Sequence, residues 1–82
     1  MTSKKTIERA EVLLKLMRQN PTEGIWKSRT SRLFRSWAKQ CGLGGIRAYA
    51  AFEGCIVHLG LQGKVHKTGF RYKTGVEWAL VP

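Results

Sequence analysis

The sequence predicts an α+β fold, three helices followed by a C-terminal β-hairpin, packed as one compact domain over residues 1–82. Three observations carry that expectation. Apolar residues recur at three- and four-residue spacing through most of the chain. Proline and glycine cut this region into three segments. The closing stretch, Val76-Glu77-Trp78-Ala79-Leu80, alternates instead, as a strand with one buried face does. At 82 residues the chain is near the lower end of independent stability. A hydrophobic content of 43% with three tryptophans still argues for an ordered core rather than a disordered basic tail.

Thr6 to Asn20 reads as the first helix. Ile7, Ala10, Leu13, Leu14 and Met17 share one face, and Leu16 flanks it. Ser3 and Thr6 are both candidate caps, and Glu11 supports Lys15 one turn on. Asn20-Pro21 stops the helix, because the residue before proline avoids the helical region. Ile25-Trp26, after Gly24, is predicted to form one brief strand.

The second helix is expected from about Ser31 to Cys41, with N-cap candidates in Ser28-Arg29-Thr30-Ser31. Leu33, Phe34, Trp37, Ala38 and Cys41 form its apolar stripe. Arg32, Arg35, Ser36 and Lys39 lie opposite. Gly42 suits the left-handed position after the helix, and Gly42-Leu43-Gly44-Gly45 makes a tight turn.

Ile46 to about Gly60 is the third segment. Tyr49, Phe52, Ile56 and Leu59 fit a helical face, and Ala48, Ala50 and Ala51 favour helix. Cys55-Ile56-Val57-His58-Leu59 has strand-like composition and Gly54 weakens a helix interior, but the length favours helix.

Lys64 to Pro82 is expected to be the hairpin, with Val65 and Lys67 in the partner strand. Within it, KTGFRYKTG repeats Lys-Thr-Gly six residues apart around Phe70-Arg71-Tyr72. Lys67 to Lys73 is predicted to be the tip, bracketed by Gly69 and Gly75. Phe70 and Tyr72 there either fold back onto the sheet or stand out to stack on bases. Trp26, Trp37 and Trp78 are predicted to be core.

Charge is the strongest global signal. Fifteen Lys and Arg stand against five Asp and Glu, a net charge of +10. Such an excess costs a small domain stability by self-repulsion and points to a polyanionic partner. No acid interrupts Lys27, Arg29, Arg32, Arg35, Lys39 and Arg47, nor Lys64, Lys67, Arg71 and Lys73, whereas the N-terminal helix mixes signs.

The order of helix, short strand, helix, glycine turn, helix and hairpin resembles the winged helix-turn-helix domain. The residues that carry the resemblance are the stripe Leu33, Phe34, Trp37 and Cys41, the turn Gly42 to Gly45, the exit Leu59-Gly60-Leu61 and the closing strand Val76 to Leu80. The resemblance implies double-stranded DNA as partner, bound by a transcriptional regulator or architectural factor. Ile46 to about Leu59 becomes the recognition helix, with Arg47 and His58 among its few polar side chains, and Lys67 to Lys73 becomes the wing. Phosphate contacts would come from Arg29, Arg32, Arg35, Lys39, Lys64, Lys67, Arg71 and Lys73, with Phe70 and Tyr72 at the wing. Ala50, Ala51, Gly54 and Val57 are small or apolar where base-reading side chains are expected. Two alternatives remain open: a protein-interaction module docking on an acidic partner or a second copy, and a binder of single-stranded nucleic acid or RNA.

Other chemistry is not expected. Ser36-Trp37-Ala38-Lys39 and the Lys-Thr-Gly copies match two signatures of serine acyl-transferases, but 82 residues cannot supply that scaffold. Cys55-x-x-His58 has metal-ligand spacing, yet Cys41 and His66 form no second close pair, so buried thiols are expected and no metal or cofactor. Five acids and no nucleophile-base arrangement argue against an enzyme. The N-terminus MTSKKTIERAE lacks a leader's apolar run, and no stretch is long enough to span a membrane. A reduced, cytoplasmic or nucleoid-associated setting is the expectation.

Overall fold

The computed structural model describes residues 2–82 and is an α+β arrangement of three helices and a C-terminal antiparallel hairpin. Helix α1 spans Lys4–Gln19, α2 spans Arg32–Gln40 and α3 spans Gly45–Leu61. Strands β1 (Val65–Tyr72) and β2 (Gly75–Leu80) make the hairpin.

Each helix starts where its sequence allows a cap or a release from one. Ser3 accepts the Thr6 N–H at 3.2 Å and opens α1. Ser31 accepts the Phe34 N–H at 3.3 Å and opens α2, so the last of the candidate caps is the one used. Gly44 precedes α3 with no side-chain bond to the first turn. Gly54 does not interrupt α3, which runs unbroken for 17 residues. A helix packed along one side is held by that packing more than by propensity.

The core is one cluster. Leu13, Leu14 and Met17 of α1, Trp37 of α2, Cys55 and Leu59 of α3, and Ile25 are all but fully buried. Trp37 also donates its indole N–H to the Arg9 carbonyl at 2.9 Å, which fixes α2 against α1. Phe52 meets Phe34 and Trp37 edge-on, with centroids 5.5 and 5.9 Å apart, and ties α3 into the same cluster.

Ile25 exchanges both backbone hydrogen bonds with Trp78, at 2.9 and 2.8 Å, so the brief strand expected there is a single bridge on the free edge of β2. The hairpin differs from expectation at its tip. Tyr72 pairs with Gly75, which places the turn at Lys73-Thr74, and most of the expected tip is strand β1. Gly69 lies inside that strand at a bulge, with φ of +90°. The register shifts between Lys67 and Arg71, where Thr68, Gly69 and Phe70 together face Glu77. Among the described residues no non-glycine has positive φ, so the Lys73-Thr74 turn is not of the primed type that best matches strand twist. The bulge bends β1 and adds twist next to that turn.

The tryptophans divide. Trp37 is core, but Trp26 and Trp78 are half-buried on opposite faces of the sheet. Trp78 packs on the core beside Gly60, while Trp26 stacks on Tyr72 with centroids 3.9 Å apart and planes 7° apart. A three-strand patch has only one face against the helices, so a ring on its far face stays partly wet.

Candidate nucleic-acid interface

The cations expected to contact phosphate fall into groups that the fold separates. On α2, Arg29 (just before the helix), Arg35 and Lys39 border one depression beside the start of α3. Arg32 projects from the same helix but is held by Glu23 at 2.6 Å, and that bond raises its already high pKa. Such an exposed pair is worth little in stability, and phosphate can compete for the guanidinium.

A second groove, of about 450 Å³, lies between α3 and the hairpin. Its floor includes Phe52, Ile56, Val57 and Trp78, and Lys27 and Lys67 stand at its sides. The Lys67 ammonium sits 5.6 Å from the Trp78 ring centroid, which orients it along the groove. Lys27 was not among the expected contacts. It bonds Glu53 at 3.0 Å and lies 5.8 Å from the Tyr49 ring, bridging the α2 side of α3 to the groove. Sequence spacing gave no signal for this, since Lys27 and Glu53 are 26 residues apart.

The hairpin carries the rest. Arg71 sits opposite Val76 and Lys73 lies in the turn, both exposed and without an ion pair among the described residues. Lys64 sits at the root, where its N–H reaches the Leu59 carbonyl and its carbonyl accepts the Val81 N–H. Arg47 and His58 are not gathered with these groups. Arg47 borders a depression with Lys5, Glu8 and Arg9 of α1, and His58 borders another with Ser3 and Thr6.

The two hairpin aromatics take different roles. Tyr72 folds back: it stacks on Trp26 and donates its hydroxyl to Glu77 at 2.8 Å. That bond to a carboxylate raises the Tyr72 pKa. Thr68 donates to the other oxygen of Glu77 at 3.0 Å. Phe70 leans on the Tyr72 edge at 4.9 Å but is 59% exposed, so one ring stands out and one does not.

The outward face of α3 is apolar. Ile46, Ala50, Val57 and Leu61 line up opposite the buried stripe, and Ile46 and Leu61 are 84% and 83% exposed. Glu53, paired with Lys27, is the one charged side chain among them. This face offers almost no donors or acceptors for base edges.

Among the described residues, no three His, Cys, Asp or Glu side chains gather as a metal site would need. Cys55 is buried at the α1–α3 contact, its thiol pushed up to about 11 by burial, with Cys41 nearby adding to the shift. No helix among the described residues is long and apolar enough to cross a membrane. No known protein family, curated protein or solved structure matches this chain.

Proposed function

We propose that this protein binds double-stranded DNA through phosphate contacts, as a small architectural factor or regulator of winged-helix type. The observation that carries the reading is the pair of basic groups flanking α3: Arg29, Arg35 and Lys39 around a depression that no acid lines, and Lys67, Arg71 and Lys73 on the hairpin. None of these six is engaged in an ion pair among the described residues. Three helices, a bridge at Ile25 and a C-terminal hairpin are the parts that a winged domain needs. The apolar outer face of α3 favours binding that follows backbone and shape over direct base reading. Such a role belongs in the cytoplasm, on the nucleoid if the chain is bacterial, and calls for neither cofactor nor catalysis.

Fluorescence anisotropy with a labelled duplex tests this. Six phosphate contacts give a log–log salt slope of about −5. Neutralising Arg35 and Lys39 together should weaken binding and flatten the slope by about 2. No binding at low salt sinks the reading. A clear preference for single strands that vanishes in Phe70→Ala assigns the protein to single-stranded nucleic acid or RNA instead.

A second reading is favoured by one feature. Ile46, Val57 and Leu61 together expose an apolar stripe of the kind that marks protein contacts. On this reading α3 docks on an acidic partner or on a second copy. Val57→Asp should then abolish the association seen in sedimentation while duplex affinity stays intact.

A further inference from the structure

The depression between α2 and the start of α3 has a composition that phosphate binding does not explain. It holds about 580 Å³, within the range of small-molecule sites. Its floor is Phe34 and Ala48, only 4% and 2% exposed. Tyr49 and Leu43 form its walls. The Phe34 and Tyr49 rings are stacked, with centroids 5.4 Å and planes 25° apart, and together give the depression an aromatic lining. Arg29, Arg35 and Lys39 rise around it, and no acid lines it.

We propose that this depression binds a small aromatic carboxylate. A phosphate held by the three cations would leave the apolar floor wet. An uncharged apolar ligand would gain nothing from the cations. A flat ring with one anionic end uses both. The ring covers Phe34, Ala48 and Tyr49, while the carboxylate reaches toward Arg35 and Lys39. Partial exclusion of water by the ring strengthens those charge contacts beyond their value at an open surface. Gly44 and Gly45, at the uncapped start of α3, also border the depression and add a favourable helix end to the same anion.

The test uses the full chain without DNA, so its outcome is independent of the nucleic-acid reading. Naphthoate is titrated against uniformly labelled protein and followed by NMR. The expected result is saturable one-to-one binding, with a dissociation constant on the order of 1 mM or tighter for a ligand of this size. Shifts should concentrate at Ala38, Leu43, Gly45, Ala48 and Tyr49. Naphthalenemethanol, which lacks the charge, and acetate, which lacks the ring, should each bind at least about tenfold more weakly. Arg35→Ala with Lys39→Ala should weaken naphthoate about tenfold. Both side chains are exposed, so the fold is expected to survive, and an unchanged melting temperature checks it. Equal binding of naphthalenemethanol, shifts spread over the hairpin cations, indifference to the double substitution, or no saturation would each overturn the proposal.

Discussion

Gly24→Ala is expected to loosen the hairpin through a clash with the Glu77 side chain. A Cβ on Gly24 would lie 2.5 Å from Glu77 Cγ and 2.7 Å from its Oε2, well inside van der Waals contact. Glu77 must then leave the position in which it accepts from Thr68 and Tyr72 at 3.0 and 2.8 Å. Losing two such bonds costs about 1–3 kcal/mol. Gly24 is not among the positive-φ glycines, so alanine also restricts the unfolded chain and returns ~0.4–1 kcal/mol. The net loss is about 1–2 kcal/mol, or roughly 5–15 °C in melting temperature for a domain of this size. Thermal unfolding by circular dichroism measures it, and a double-mutant cycle with Glu77→Ala isolates the cause. With Glu77 already truncated, Gly24→Ala should cost almost nothing. Additive losses within about 0.3–0.5 kcal/mol would refute the contact.

The buried Cys55 thiol is raised from 9.0 to about 11, so the folded state keeps a proton that the unfolded chain loses between those values; stability should fall through that window by about 2–3 kcal/mol, and the pH profile of Cys55→Ala should lack this component. Ser31→Ala removes the cap on α2 and should lower stability by about 1 kcal/mol in chemical denaturation, where no change would mean that Ser31 does not cap the helix. Tyr72→Ala should cost about 1–3 kcal/mol through the lost Trp26 stack and Glu77 bond, whereas Phe70→Ala should stay within about 0.5 kcal/mol; the reverse order in a melting series would contradict the roles assigned to the two rings.

Much of the fold was legible in residue spacing. The three helices lie within two residues of their expected starts and ends, because apolar periodicity, Ser3, Ser31 and Asn20-Pro21 act locally. Gly54 and the strand-like Cys55 to Leu59 did not break α3, since burial of Phe52, Cys55, Ile56 and Leu59 outweighs one weak residue. The hairpin was legible as a pair of strands but not in its register. The two Lys-Thr-Gly copies look alike in sequence. One became a bulge, held by Thr68 on Glu77, and the other became the turn.

By itself the sequence determined the helices, the buried face of each, the closing strand and the uneven distribution of positive charge. These depend on neighbours a few residues apart. The tertiary structure alone decided which cations share a surface, that Lys27 reaches Glu53, that Arg47 and His58 face the α1 side, and that Phe70 stands out while Tyr72 packs on Trp26. Those outcomes depend on how elements far apart in the chain meet. Periodicity says which side of a helix is buried, but only the packed partners decide what the remaining sides confront.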